Sequence, residues 1–193
     1  MDIKKALFEA AEKGVRDYAN MSKSEDLIVP ENWLQSQIAQ YLHQTLGLSV
    51  VLEAPTSKYH WGSQELQCPF GRHEVGRTGR ADLLAFDHST SQWSVIEVKA
   101  SQSTWPSFSY DAVRVRELVE KCAFSSGWVI YASCLMDEKK LKSEQDTFRK
   151  QIDAAKFGGL IWFSDPYSPL CTKSADRKWQ IAAYCYSHED AGG

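Results

Sequence analysis

Gly79-Arg80-Ala81-Asp82-Leu83-Leu84-Ala85-Phe86-Asp87, followed after His88-Ser89-Thr90-Ser91-Gln92 by Trp93-Ser94-Val95-Ile96-Glu97-Val98-Lys99, is the stretch that decides the fold. Both runs are short and apolar, and the link between them is made of turn-forming residues. They therefore read as two strands, Ala81–Asp87 and Trp93–Lys99, of one hairpin. Alternate side chains of a strand share a face, so Glu97 and Lys99 point one way while Ile96 and Val98 point the other. A carboxylate and an ammonium at the end of an apolar strand cost desolvation unless partners neutralise them. In a simple hairpin Asp82, at the start of the first strand, faces the end of the second. Two carboxylates and one lysine are expected to meet there.

Working outward, residues 2–20 have Ile3, Leu7, Ala10, Ala11, Val15 and Tyr18 at helical spacing and predict an amphipathic helix. A second helix is predicted from Glu31, just after Pro30, to Leu46, with Gly47 as a left-handed cap. Leu48–Ala54 reads as a strand stopped by Pro55, and residues 55–79 as a long, mostly irregular stretch. Past the hairpin, Ser109–Phe124 reads as a helix, Trp128–Ala132 as a strand buried on both faces and Asp137–Phe157 as a charged helix. Leu160–Phe163 reads as another buried strand and Trp179–Tyr186 as a last, edge strand. Antiparallel strands first and helix-connected strands later predict an α/β fold, a central mixed sheet with helices on both faces. The chain is expected to be one domain, with core about 31–165, an appended N-terminal helix over 1–22 and an extra edge strand over 177–187.

The 193 residues suffice for one domain with a substantial core. At 43% hydrophobic and 24% charged, the composition is that of a globular chain rather than a disordered one. No apolar run approaches the roughly 20 residues that span a bilayer. Glu9, Glu12 and Lys13 stand where a signal peptide would be apolar, so a cytoplasmic protein without membrane contact is expected. Cys68, Cys122, Cys134, Cys171 and Cys185 are scattered and form no CxxC pair, and are expected to be free thiols. His60, Cys68 and His73 share one loop but match no zinc module. The net charge of −3 speaks weakly against a polyanionic partner, since phosphodiesterases carry metal-binding carboxylates and need only a local basic surface.

Two carboxylates with room for water suit Mg²⁺ or Mn²⁺, which retain waters and accept phosphate oxygens as further ligands. The Val98 carbonyl is a natural additional ligand. Such an ion polarises a scissile phosphate and lowers the pKa of a bound water. Lys99 beside it is placed to orient or deprotonate that water and to steady the transition-state charge.

Asp82, the Glu97-Val98-Lys99 triplet and the order helix, strand, hairpin, helix, strand over roughly residues 31–132 resemble the PD-(D/E)XK restriction-endonuclease-like phosphodiesterase superfamily. The resemblance implies a Mg²⁺-dependent nuclease, with Mn²⁺ as a substitute, in which Asp82 and Glu97 bind the metal and Lys99 serves the attacking water. It also implies an acidic residue on the helix before the first strand, for which Glu31 is the match and Glu53 the rival. Ala81 stands where the superfamily's name has proline, a position that ligates nothing. DNA is the expected partner, and members often pair into homodimers or larger nuclease complexes.

Around this set, Arg72, Arg77 and Arg80 are candidates to grip a nucleic-acid backbone, with Gln102 (between Ser101 and Ser103) and Arg114 beside them. Asp111 and Arg114 lie one helical turn apart and read as an i,i+3 ion pair. Trp61 and Trp105, in polar surroundings, are candidates for base stacking. A fold does not guarantee its chemistry, so a catalytically inactive module binding nucleic acid or a protein is the alternative. A small-molecule phosphohydrolase with the same carboxylates is a third reading.

Overall fold

The computed structural model describes residues 2–22, 28–55, 58–61, 64–67, 80–100, 105–122, 124–135, 138–155, 158–167 and 178–187. They form α1 (Ile3–Ser22), α2 (Glu31–Leu46), β1 (Ser49–Pro55), β2 (Lys58–Trp61), β3 (Gln64–Gln67), β4 (Arg80–Asp87), β5 (Gln92–Lys99), α3 (Trp105–Lys121), β6 (Phe124–Leu135), α4 (Glu138–Ala155), β7 (Leu160–Phe163) and β8 (Lys178–Ser187). Six strands make one mixed sheet in the order β1-β4-β5-β6-β8-β7, and β2 and β3 pair separately. Only β5 and β6 run parallel, joined by α3 as parallel neighbours require; the other pairs are antiparallel. The expected α/β architecture is the one observed.

Strand alternation divides the core in two. Leu83, Ala85, Ile96, Val98, Ile130, Trp179 and Ile181 face α1 and α2, which cover them with Leu7, Ala11, Val15, Leu34, Ile38 and Leu42. Leu84, Phe86, Val95, Val129, Tyr131 and Tyr184 face α3 and α4 through Phe108, Ala112, Val115, Leu118, Phe148 and Ile152. Gly47 caps α2 at φ 68°, donating its N–H to the His43 carbonyl at 3.0 Å. No helix among the described residues is long and apolar enough to cross a membrane.

Within the stretch 55–79, read as mostly irregular, β2 and β3 pair with each other. Several expectations need correction. The strand expected at the edge over 177–187 lies between β6 and β7 and is buried along Trp179–Tyr186. The true edge on that side is β7, read as buried, whose Leu160 is exposed. Both runs are apolar, and length decides between them: ten-residue β8 pairs along β6 from Ser126 to Leu135, whereas four-residue β7 cannot. Nor is α1 an appendage, because its buried face is continuous with the core under α2 and β8. Cys134 and Cys185 are thiols, but Cys122, expected to be a free thiol, is disulfide-bonded.

The fit of α3 on the sheet depends on Gly127 in β6. A Cβ there would stand 2.8 Å from Val115 Cβ and 2.9 Å from the Val115 carbonyl oxygen. Alanine in place of a strand glycine ordinarily gains about 0.5–1 kcal/mol of chain entropy. A clash with helix backbone outweighs that gain. Gly127→Ala is expected to destabilise the protein by roughly 1–3 kcal/mol, the range for overpacked cores, as measured by urea unfolding. An unchanged midpoint would mean that α3 is not seated as described.

Candidate active site

The site lies where the β4–β5 ladder ends. Leu83 pairs with Ile96, so the same register carried one step on sets Asp82 level with Glu97 on the α3 face. There the backbone ladder gives way to a side chain: the Val98 N–H donates to Asp82 Oδ2 at 2.7 Å. A strand residue turns its N–H and C=O to the same side, so the Val98 carbonyl is also directed toward the Asp82 edge.

Glu97 is 1% exposed, and Arg114 Nη1 from α3 lies 3.1 Å from its Oε1. Arg114 also donates through Nη2 to the Arg80 carbonyl, which ties α3 to the start of β4. Lys99 Nζ sits between two acids, 3.4 Å from Glu31 Oε1 on α2 and 3.5 Å from Asp111 Oδ2 on α3. The site thus gathers Glu31, Asp82, Glu97 and Asp111 with Lys99 and Arg114. Its formal surplus is two negative charges. Glu97 Oε1 and Asp111 Oδ2 are fully buried, and each lies beside one cation, Arg114 Nη1 and Lys99 Nζ respectively.

The surplus shows in the proton affinities. Burial pushes the Glu97 carboxyl well above the usual range; Arg114 opposes this while Asp82 and Asp111 add to it. Burial likewise raises Asp111 against the pull of Lys99 and Arg114, and raises Glu31 against Lys99. Burial alone would lower the Lys99 pKa, but Asp111, Glu31, Asp82 and Glu97 outweigh it and the net shift is upward. Lys99 is therefore a charged ammonium at neutral pH.

Of the candidate residues read from sequence, the structure brings together Asp82, Glu97, Lys99 and Glu31. Glu53, level with Asp82 on β1, is exposed and has a left-handed φ of 51°. Arg80 has an exposed side chain at the start of β4. Arg114, a candidate phosphate contact, is committed to Glu97 and buried. The ion pairs of Asp111 and Arg114 run to Lys99 and Glu97, in place of the intrahelical pair expected. Arg72, Arg77 and Gln102 lie outside the described residues, as do Ser101, Ser103, Cys68 and His73, and the side chains of His60, Trp61 and Trp105. Sequence reasoning left Asp111 outside the site. A signal was present: Asp111 falls on the stripe Phe108, Ala112, Val115, Leu118 and Val119, where a charged residue needs a partner from outside its helix.

No group of three or more His, Cys, Asp and Glu side chains among the described residues is gathered as a ready metal cage. Cations of the chain hold the carboxylates instead. No family model, no curated protein and no solved structure matches this chain.

Because burial raises the Asp111 carboxyl above its unfolded value, its ionised form opposes folding. Its contribution to stability is present at low pH and is lost as pH rises through the elevated value. In chelator, Asp111→Asn should therefore unfold at a higher temperature than the unsubstituted protein near neutral pH, and the advantage should shrink on acidification. A lower melting temperature at every pH would contradict a burial cost that outweighs the pull of Lys99 and Arg114.

Proposed function

We propose that the chain is a Mg²⁺-dependent nuclease of the PD-(D/E)XK type that hydrolyses phosphodiester bonds of DNA. The observation that carries this reading is the gathering, among the described residues, of four acids (Glu31, Asp82, Glu97 and Asp111) around two cations, a formal surplus of two negative charges that one divalent cation would balance. The donor set fits such an ion. Asp82, Glu97 and the Val98 carbonyl supply hard oxygens, and the buried Glu97 Oε1 has only the Arg114 guanidinium, 3.1 Å away, beside it. The order α2, β1, β4–β5 hairpin, α3, β6 is the order named with the resemblance, which supports the same reading.

A bound Mg²⁺ would supply a polarised phosphate and an acidified water. The chain's own residues do the rest. Asp82 is oriented by the Val98 amide, so its carboxylate cannot rotate freely. Glu97 is held by Arg114. Lys99, kept protonated by its acidic neighbours, acts as a donor: its ammonium orients the attacking water or a phosphate oxygen and opposes the negative charge that develops on the phosphoryl oxygens. Glu31 reaches the same ammonium from the first turn of α2.

The protein is expected to cut DNA with Mg²⁺ or Mn²⁺. Lys99→Ala should lower the rate by about 10²–10³-fold, the range for loss of one preorganised donor, while circular dichroism stays unchanged. Equal cleavage by both proteins would overturn the assignment.

A second reading is favoured by the Arg114–Glu97 pair: a site already neutralised in part by its own cation suits a module that binds nucleic acid or protein without catalysis. Calorimetric titration with Mn²⁺ separates the two. The nuclease reading expects saturable binding that Asp82→Asn removes, and the inactive module expects no heat from either protein.

A further inference from the structure

We infer that Asp111 is a positioning residue for Lys99, the second of two anchors that fix its ammonium beside Asp82 and Glu97. The inference rests on the nuclease reading and adds a residue to it. Lysine carries its charge on a flexible four-carbon stem, and an ammonium has no planar fork to set its direction. Placing it takes contacts from more than one side. Lys99 has them from two different helices, Glu31 Oε1 at 3.4 Å and Asp111 Oδ2 at 3.5 Å.

The two anchors are unequal. The Glu31 side chain is 39% exposed in the first turn of α2, where water competes for it and an acidic residue is favoured by the helix terminus alone. The Asp111 side chain is 7% exposed on the sheet-facing side of α3, among Phe108, Ala112 and Val115. Its short stem and packed surroundings leave it little rotamer freedom, so it is the stiffer anchor. An apolar residue would suit that stripe better than a buried carboxylate. The carboxylate is thus placed at a cost to the fold, and the group it touches is Lys99.

The same α3 turn carries Arg114, which holds Glu97. One helix face therefore aims both polar residues of the Glu97-Val98-Lys99 triplet, and Gly127 lets that helix approach the sheet closely enough to do so. A misplacement of about 1 Å at a reacting group costs on the order of 100-fold in rate, which sets the scale expected for losing the stiffer anchor.

The test compares the full chain with Asp111→Ala and Asp111→Asn by steady-state DNA cleavage, Mn²⁺ calorimetry and thermal unfolding. Asp111→Ala is expected to lower kcat about 100-fold with KM unchanged and Mn²⁺ binding retained. Asp111→Asn, which keeps an oxygen for Lys99, is expected to recover part of kcat while melting no lower than the original protein. A slower but more stable variant is what positioning predicts; a purely structural role would lower stability and leave kcat per folded molecule unchanged. Undiminished kcat in Asp111→Ala overturns the inference, as does a fall in kcat accompanied by loss of Mn²⁺ binding, which would make Asp111 a ligand. Should Asp111→Ala fail to fold, full kcat in Asp111→Asn overturns it. Absence of cleavage by the unsubstituted protein fails the nuclease reading itself, and the inference with it.

Discussion

Burying the Glu97 carboxylate in the middle of a sheet costs several kcal/mol unless a cation meets it, because desolvation of an ion is repaid only by close and well-directed charge. Arg114 meets it at 3.1 Å, and to do so α3 must lie flat on β5 and β6. That placement explains the glycine at position 127, the crossover between the parallel strands and the second core built on Phe108, Val115 and Leu118. It also brings Asp111 to Lys99. The helix that makes the parallel connection possible is the one that completes the polar site.

The opposite face has a different task. There α1 and α2 cover Leu83, Ala85, Ile96 and Val98 with an apolar layer, and Gly14 lets α1 approach Leu34 and Gln37 of α2. Ile96 and Val98, the neighbours of Glu97, are thus locked from behind while Glu97 and Lys99 face forward. A one-residue slip of β5 would exchange the two sets and bury both charges under α2. Register, set by the paired residues Leu83↔Ile96 through Asp87↔Gln92, is therefore what keeps Glu97 and Lys99 on the α3 side.

Much of this was legible in the amino-acid sequence because it depends on local periodicity. Alternation along Trp93–Lys99 separates Glu97 and Lys99 from Ile96 and Val98, and hairpin geometry returns Asp82 to them. The helices α1 and α2 follow from 3.6-residue spacing and the cap at Gly47. What was not legible depends on tertiary choice. β7 and β8 are both apolar runs, and only their lengths against β6 tell which one lies inside the sheet. Asp111 and Arg114, a turn apart, satisfy a simple intrahelical rule, yet each prefers a partner on β5, where burial makes its charge matter more. The comparison of an exposed i,i+3 pair with a buried interelement pair cannot be made before the helix is placed.

The site also explains why its polar residues are poorly satisfied by the rest of the protein. A carboxylate fully paired by the chain's own donors is stable but has nothing left for a ligand. Glu97 Oε1 and Asp111 Oδ2 are buried beside one cation each, and three acids hold their protons more tightly than ordinary carboxyls because burial opposes their charge. Folding energy from the two apolar layers sustains that arrangement. The rigidity of the sheet keeps the acids from separating, which they would otherwise do to regain water. Repulsion of this kind is relieved by any cation that enters, so under the nuclease proposal the feature that weakens the fold is the one that would favour a divalent ion.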